Sequence, residues 1–391
     1  ILFMIQTVLL TYTFLTFNFN FSLPDVDEDK FIGSESFNDK TKPDIYFLLF
    51  DAVAENSYNV ENFNIDMNNI LKEFEYFELE IFEDEYSNYA STSYQMSSIM
   101  EMGPMHMNKP QVSNSEIYTI VNKTKDNETA VEKYFIDQGY VLFKYGLFFR
   151  CQDEINVVCI GDSTYQVNTV ISDIVDQTPL RVLKEKKIIQ LNSSTSDVIK
   201  YLFFNTCGLV NQECQGQDIR EILDYKKVEE PKLFLLHFMF THSPFYLDGE
   251  CKPYLEEVEM PDFNSVGYAD SLNCMYLEIQ RLLNFISDES VVIIQSDHGP
   301  FEITRDRSNK NQLNEEIVKS QYSILSISNI NKFCEKKVNT FSGINTFSNL
   351  INCLTNEEVY KINSDNYFYY ILGSENHEFI NISDMINSLK K

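Results

Sequence analysis

An acid and an imidazole stand side by side at Asp297 and His298, directly after the apolar run 291–295. A β-branched run of this length predicts a buried parallel strand, and ligands of α/β sheets gather where such strands end. The pair offers a carboxylate oxygen and an imidazole nitrogen, a mixed donor set that favours Zn or Mn over Mg or Ca. For this dipeptide alone, the alternative is a surface turn in which the two residues meet by chance.

Two further predicted strands end near polar side chains of the same kind. The apolar segment 45–50 ends on Asp51, and the segment 233–240 is followed by Thr241 and His242. Because the ends of parallel strands lie along one edge of a sheet, these side chains can converge although the sequence separates them. A lone Asp at a strand end is more often a helix cap than a ligand, but three such ends together favour a site.

A candidate nucleophile lies in the hydroxyl-rich segment 87–100, where Ser91, Thr92 and Ser93 precede an apolar helical run. This order places Thr92 near a helix N-terminus, where backbone N–H groups and the helix dipole favour an anion. A metal ion beside a hydroxyl lowers its pKa and makes the alkoxide accessible near neutral pH. Composition alone favours the simpler interpretation, which is that these hydroxyls cap the helix.

The elements that must position these residues alternate between strands and helices. Helical spacing of apolar residues predicts helices over 67–77 and 268–285, the latter with Leu272, Met275 and Ile279 on its core face. Alternation of this kind predicts an α/β fold with a sheet covered on both faces. The tract 161–196 has no strong pattern, and a helical insertion there is left open.

Acidic residues dominate the charge, with 59 Asp and Glu against 31 Lys and Arg and a formal net charge of -28. Phosphates would be repelled, so this charge argues against nucleic acid or an anionic membrane surface as a direct partner. Divalent cations are compatible with this charge. Most of the carboxylates are nevertheless expected to form an ordinary solvated surface.

Eight cysteines fall into neighbouring pairs along the chain, and none forms a C-x-x-C pair. An even number in four short-range pairs predicts a disulfide framework in an oxidising compartment, and it makes a zinc ribbon a poor interpretation. Eight reduced, buried thiols are the alternative. The pairs are Cys151 with Cys159, Cys207 with Cys214, Cys251 with Cys274, and Cys334 with Cys353.

The first 20 residues are largely apolar, and residues 1–17 carry no charge. About 17 residues is the lower end of what can span a bilayer, so we expect the end of a membrane anchor here. No basic region and no small-residue cleavage site are present to indicate a complete signal peptide. A first strand or core helix is the alternative. Residues 21–41 have Pro and acids without apolar periodicity, which predicts a linker.

With these motifs in hand, the chain resembles the sulfatase-like members of the alkaline phosphatase superfamily. More narrowly, it is similar to bacterial membrane-anchored sulfatase-like proteins related to lipoteichoic acid synthases and phosphoethanolamine transferases. The matching segments occur in order at 42–51, 87–92, 237–245, 268–272, 295–300 and 343–351. The resemblance implies an alkaline-phosphatase-like three-layer sandwich with a mostly parallel sheet. It implies a catalytic domain over 42–372 and a C-terminal tail over 373–391.

Roles at the matching positions follow from the resemblance. It implies that Asp51, Thr92, Asp297 and His298 are the ligands of one divalent metal ion and that Thr92 is also the nucleophile. His242 would contact the transferred group or protonate the leaving group. Two carboxylates, an imidazole and an alkoxide suit Zn or Mn, with Mg or Ca as the alternatives.

The departures from the family pattern are informative. Sulfatases that use formylglycine carry Cys-x-Pro-x-Arg, whereas this chain has Thr-Ser-Tyr-Gln-Met from Thr92. Sulfate-ester hydrolysis by that route is therefore not expected, and in this superfamily a threonine nucleophile implies phosphorus chemistry. Family members with two metals add an Asp and two His. Among His106, His237 and His377 we find no matching pattern, although His377 is left open.

The expected function is a metal-dependent transferase that takes a phospho group from a phosphodiester lipid headgroup through Thr92. One alternative is a sulfatase-like phosphodiesterase or sulfuric ester hydrolase that uses water as the acceptor. Another is a catalytically silent binding module of the same fold. The expected partners are a membrane lipid or glycan substrate, with the chain held at the membrane by its N-terminal segment. The catalytic domain would lie in the periplasm or outside the cell, and the oligomeric state is left open.

Overall fold

A computed structural model gives the architecture of the chain between residues 42 and 390. The predicted anchor over 1–20, the linker over 21–41 and the tract 161–196 lie outside the described residues. The structure describes residues 42–104, 111–113, 123, 127–146, 148–149, 155–160, 228–239, 241–242, 245, 247–251, 265–300, 313–341, 343–356, 358, 360, 366–371 and 376–390.

A seven-stranded sheet forms the centre of the described part of the chain. Its order is β2-β8-β7-β1-β6-β4-β5, and β7, β1, β6, β4 and β5 pair in parallel. The edge strands β8 and β2 add antiparallel pairings. The strands are β1 (Ile45–Phe50), β2 (Glu80–Ile81), β4 (Val141–Tyr145), β5 (Val157–Cys159), β6 (Lys232–Phe238), β7 (Val291–Ser296) and β8 (Ser326–Ser328).

Helices surround this sheet. In the described residues they are α1 (Asn56–Phe63), α2 (Asn68–Leu71), α3 (Thr92–Met100), α4 (Ala130–Asp137), α5 (Ser265–Leu283), α6 (Glu315–Tyr322), α7 (Thr346–Thr355) and α8 (Ser383–Leu389). Short 3-10 segments occupy Lys72–Phe77, Ile330–Lys332 and Gly343–Asn345.

Every residue of β1 is buried, which requires a covering layer on each side of the sheet. On one side, Phe47 of β1 packs against Phe347 of α7 with ring centroids 5.1 Å apart. The same cluster takes in residues of α3 and α4, among them Met96, Ile99, Val131 and Phe135. The helix α5 buries Leu272, Met275 and Ile279 but contributes nothing to that cluster, so it covers the opposite face. The predicted α/β fold class, with a mostly parallel sheet and helices on both faces, is confirmed.

The predicted strands at 45–50, 233–240 and 291–295 correspond to β1, β6 and β7, and the predicted helix at 268–285 corresponds to α5. The prediction of one helix over 67–77 was wrong. The helix α2 ends at Leu71, and a 3-10 segment follows in which Phe74 has non-helical dihedrals of φ -120° and ψ 33°. Phe74 and Phe77 are buried, so burying aromatic rings takes precedence over regular helix geometry here.

A second, three-stranded antiparallel sheet has the order β3-β10-β9. Its strands are β3 (Gln111–Ser113), β9 (Phe368–Ile371) and β10 (Asn376–Asn381). Residues 373–391, predicted as a C-terminal tail, therefore include β10 and α8. Ile382 and Ile386 are buried with Tyr86 and Tyr322 in a common apolar cluster. The division into domains stays a prediction.

Disulfides join Cys251 to Cys274 and Cys334 to Cys353, each with a Cα–Cα separation of 4.8 Å. Cys159 is disulfide-bonded as well. The predicted disulfide framework is confirmed for these residues, and reduced thiols are excluded there. Cys151, Cys207 and Cys214 lie outside the described residues. In the described part of the chain, no helix has the length and apolar character needed to cross a membrane.

The turn after β4 depends on Gly146. Its φ is +96°, and a Cβ atom at this position would lie 2.2 Å from the carbonyl oxygen of His237 in β6. Two residues later, the backbone N–H of Phe148 donates a hydrogen bond to Nδ1 of His237 at 3.3 Å. Only glycine allows the turn to approach β6 this closely.

We expect Gly146→Ala to lower the free energy of unfolding by about 2 kcal/mol, because it adds both a strained φ and a backbone clash. Chemical denaturation measures this loss. Gly103→Ala is the matched control, since its added Cβ would meet only Glu101 O at 3.9 Å. An equal effect of the two substitutions would contradict the structural role of Gly146.

Candidate metal centre and nucleophile

The register of the sheet brings Asp51 and Asp297 together. Phe50 at the end of β1 pairs with Ser296 at the end of β7, so the next residue of each chain segment leaves the sheet at the same level. Both acids are almost fully buried, with exposed fractions of 2% for Asp51 and 0% for Asp297. Two buried carboxylates this close together are stable only if protons or cations offset their negative charge.

Thr92 is the first residue of α3, and its hydroxyl reaches the same point. Its Oγ1 lies 3.3 Å from Asp51 Oδ2 and 3.3 Å from His298 Nε2. Ser91 is the N-cap residue and makes no side-chain capping hydrogen bond. Thr92 is only partly buried, so an external group can approach its hydroxyl at the positive end of the helix dipole.

Asp51, Asp297 and His298 form the group in the described residues that could hold a metal ion, with ligand atoms within 4.8 Å of one another. His298 Nε2 lies 3.3 Å from Asp297 Oδ2 and 3.7 Å from Asp51 Oδ1. Tetrahedral coordination with bonds of about 2.0 to 2.3 Å puts ligand atoms about 3.3 to 3.8 Å apart. The two distances from His298 Nε2 therefore match those between ligands of one tetrahedral ion. Their roles as ligands stay a prediction.

Hydrogen bonds leave one oxygen of each carboxylate facing the centre. Asp297 Oδ1 accepts the backbone N–H groups of Ala52 at 3.1 Å and His298 at 2.9 Å. Asp297 Oδ2 and Asp51 Oδ1 are buried and have no hydrogen-bond partner in the described structure. Such unsatisfied acceptors are what a cation would occupy.

The tautomer of His298 fits the same role. Its Nδ1 lies 2.8 Å from the carbonyl oxygen of Gly299, which can only accept, so Nδ1 carries the proton. In the neutral ring, Nε2 then presents a lone pair to the centre. A backbone carbonyl bonded to the other ring nitrogen is the usual way in which proteins orient a metal-binding histidine.

The two acids have opposite pKa shifts. Burial raises the pKa of Asp51, but the hydrogen bond from His237 and the charges of His298, His242 and His237 together lower it to about 2. Burial and the neighbouring charge of Asp51 raise the pKa of Asp297. In the absence of a metal ion, Asp51 therefore holds the negative charge more readily, and charging Asp297 is unfavourable.

The turn after β1 is strained. Ala52 has a φ of 60°, in the left-handed region that residues other than glycine rarely adopt. The hydroxyl of Tyr268 in α5 donates to Ala52 O at 3.2 Å and accepts from Ala54 N at 3.2 Å. The hydroxyl of Thr241 donates to Asp51 O. These bonds, from Thr241 beyond the end of β6 and from α5, hold Asp51 and Ala52 in place.

Asn88 fixes the loop before α3 by two hydrogen bonds. Its Nδ2 donates to Asn366 O at 2.8 Å, and its Oδ1 accepts from Ile344 N at 3.2 Å. The rings of Tyr89, Tyr94, Phe368 and Phe379 pack against one another beside it, with centroid separations of 5.5 to 6.2 Å. Both sheets therefore help to place Thr92.

His242, predicted to act on the transferred group, is partly buried. Its charge contributes to lowering the pKa of Asp51. It does not belong to the group of possible metal ligands. His106 lies outside the described residues, and His377 lies in β10 opposite Val112.

The prediction from sequence missed His237 as part of this site. Its ring is buried in β6, and its Nε2 lies 3.5 Å from Asp51 Oδ2. The available signal was an imidazole one residue before the end of β6, next to the apolar residues 233–236 and Phe238. Burying a polar ring at such a position is costly without a partner, and this cost could have drawn attention to it.

No protein-family model matches the chain, and no curated protein matches it. Similar solved structures include the C-terminal periplasmic domain of EcEptC from Escherichia coli in complex with Zn. It has 12% identity and a TM-score of 0.45, covering 88% of this chain and 93% of that one.

Another is the soluble domain of lipooligosaccharide phosphoethanolamine transferase A from Neisseria meningitidis. Its identity is 11% and its TM-score 0.46, with coverage of 82% and 91% of the two chains. A third is a protein in the alkaline phosphatase superfamily from Vibrio parahaemolyticus, with 13% identity, a TM-score of 0.47 and coverage of 87% and 75%. Because these similarities are distant, function has to be inferred from the site itself.

We expect Asp297→Asn to stabilise the metal-free protein at neutral pH by roughly 1–3 kcal/mol. Asn keeps the Oδ1 acceptor for Ala52 and His298, and it replaces the unpaired Oδ2 by a donor. Because the pKa of Asp297 is raised in the folded protein, its stability cost is absent below the unfolded pKa, grows as pH rises above that value, and is fully present above the folded pKa. The advantage of the variant should therefore shrink as pH falls from neutral and be lost below about pH 4.

Urea unfolding in the presence of a chelator measures this effect. Asp288→Asn, at an exposed carboxylate, is the matched control and should leave stability unchanged. Added Zn should stabilise the wild-type protein and not the Asp297 variant. If metal-free Asp297→Asn were less stable than the wild-type protein at neutral pH, Asp297 Oδ2 would not be an unsatisfied acceptor that destabilises the fold.

Proposed function

We propose that the chain is a metal-dependent enzyme that transfers a phospho group from a phosphodiester donor by way of Thr92. The observation that carries this proposal is the position of the Thr92 hydroxyl. It lies 3.3 Å from both Asp51 Oδ2 and His298 Nε2, at the first residue of α3, and is partly exposed. A hydroxyl beside a cluster of buried acceptors is suited to activation as a nucleophile.

Asp51, Asp297, His298 and Thr92 would hold one divalent ion, and their mixed donor set favours Zn or Mn. When bound, such an ion lowers the pKa of an adjacent hydroxyl and neutralises charge on phosphate oxygens. The unsatisfied oxygens Asp51 Oδ1 and Asp297 Oδ2 support this assignment.

The chain's own residues have distinct parts in the transfer. Asp51 Oδ2 accepts the hydrogen bond of the Thr92 hydroxyl and so aligns Oγ1 for attack. The Oγ1–P bond forms while the bond from phosphorus to the lipid oxygen breaks. In this proposal Thr92 releases its hydroxyl proton to solvent, and His242 gives its proton to that leaving oxygen. In the second half, the bond from phosphorus to Thr92 Oγ1 breaks as the acceptor oxygen bonds to phosphorus. The acceptor proton then returns to His242, and Thr92 Oγ1 takes up a proton from solvent, which regenerates the enzyme.

The N-terminus of α3 favours an anionic substrate. The first N–H groups of a helix have no partner within the helix, and they stabilise a phosphate together with the helix dipole. A threonine at this position cannot be converted to formylglycine, so a phosphate ester is the better substrate than a sulfate ester.

A periplasmic or extracellular setting is supported by the disulfides Cys251–Cys274 and Cys334–Cys353, which persist in oxidising compartments. A membrane lipid headgroup is the proposed donor, and a glycan or lipid hydroxyl is the proposed acceptor. Anchoring through the N-terminal segment belongs to the same proposal.

Thr92→Ala should abolish covalent transfer to the protein, because it removes the attacking oxygen. The measurement is intact mass after incubation with Zn or Mn and vesicles that contain phosphatidylethanolamine or phosphatidylglycerol. The wild-type protein should gain the mass of one phospho headgroup, and Thr92→Ser should retain part of this gain.

Ser93→Ala is the control, since it changes the neighbouring hydroxyl in the same helix turn and should react like the wild-type protein. An adduct that persists in Thr92→Ala would refute the nucleophile. Adding an alcohol acceptor separates transfer from hydrolysis, because a transferase forms a new phosphodiester while a hydrolase releases the free headgroup phosphate. A wild-type protein that binds no metal and forms no adduct would favour a silent binding module.

A further inference from the structure

We propose that His237 is a positioning residue that orients the Asp51 carboxylate and keeps one of its oxygens free for the metal ion. The inference rests on the proposed metal centre. It assigns a role to a buried side chain that neither holds the ion nor touches the substrate.

The ring of His237 is enclosed within the sheet. It is 1% exposed and lies in β6 opposite Leu49 of β1, two residues before Asp51. The other residues from Leu233 to Phe238 in this strand are apolar. An imidazole here costs solvation free energy that only a specific partner can offset.

The hydrogen bond from Phe148 fixes the tautomer. The Phe148 N–H donates to Nδ1, so in the neutral ring Nε2 must carry the proton. Nε2 points towards Asp51 Oδ2 at 3.5 Å, an ion-pair distance, and it is buried without a hydrogen bond of standard geometry in the described structure. A nitrogen that carries a proton cannot ligate a metal ion. His237 therefore differs from His298, in which the proton lies on Nδ1 and faces away from the centre.

The two oxygens of Asp51 have different surroundings as a result. Oδ2 faces two donors, the Nε2–H of His237 and the hydroxyl of Thr92. Oδ1 has no donor and lies 3.7 Å from the lone pair of His298 Nε2. This asymmetry fixes which oxygen turns towards the ion. When the Thr92 hydroxyl gives up its proton, His237 is the donor that still faces Oδ2.

A separate part of the chain holds His237 in this orientation. Gly146 allows the turn after β4 to lie against the backbone of His237, and the turn then presents the Phe148 N–H to Nδ1. Gly146 and Phe148 thus position His237, and His237 in turn contacts Asp51. Partners of this kind commonly change metal affinity by about 10- to 100-fold when they are removed.

Two substitutions separate the effect of the ring's contact with Asp51 from that of its hydrogen bond with Phe148. His237→Gln places an amide N–H where Nε2–H stood and keeps a donor for Asp51. His237→Asn places an acceptor near the Phe148 N–H but is too short to reach Asp51. We expect His237→Gln to bind Zn within about threefold of the wild-type protein and His237→Asn to bind it about 10- to 100-fold more weakly. Competition with a chromophoric chelator measures the affinity, and thermal unfolding of the metal-free variants checks that both are folded.

Equal affinities in the wild-type protein and both variants would overturn the proposal, as would equal losses in the two variants. A second measurement needs no variant. Nitrogen chemical shifts of the histidines in the wild-type protein report the tautomer, and a proton on Nδ1 of His237 would also overturn the proposal. Metal affinity is read without any substrate, so a wild-type protein that binds Zn but forms no phospho adduct would refute the proposed function alone.

Discussion

Two buried carboxylates that end adjacent parallel strands set the conditions for the rest of the site. Asp51 and Asp297 leave β1 and β7 at the same level, and neither can be hydrated there. Their mutual repulsion in a poorly polarisable interior is offset only by donors and cations. Backbone N–H groups satisfy one oxygen of Asp297, and Thr92 and His237 face one oxygen of Asp51. The two carboxylate oxygens that remain without a donor, Asp51 Oδ1 and Asp297 Oδ2, are the atoms that a cation would neutralise.

The sequence alone was enough to predict the central strands and the residues that end them. Asp51 and Asp297 interrupt long apolar runs abruptly, and a strand of that composition can only be buried. Thr92 was predicted as the nucleophile from the family resemblance, because the hydroxyl cluster before α3 by itself favours helix capping. Such strand ends can be recognised from the local sequence alone. Because the strands are parallel, their ends then lie along one edge of the sheet.

The polar ring of His237 in an apolar strand was visible in the sequence, but its role could not be predicted because its partners are distant along the chain. It depends on a turn after β4 that reaches it only because residue 146 is a glycine with a positive φ, and on a register with β1 that the sequence does not specify. The 3-10 segment at Lys72–Phe77 was missed for a related reason, since apolar spacing does not record the dihedral angles of Phe74. The pairing of β3 with β10 likewise joins segments that are far apart in the chain.

The aromatic cluster at the start of α3 makes the position of Thr92 depend on residues that are synthesised much later. Tyr94 packs on Phe379, and Tyr89 stacks on Phe368, although Thr92 is synthesised long before either phenylalanine. Contacts of such high sequence separation form late in folding, because closing the intervening chain costs entropy first. A nascent chain therefore carries an exposed Thr92 without the packing that fixes its helix. The packing that fixes the start of α3 is therefore complete only after β9 and β10 have joined the fold.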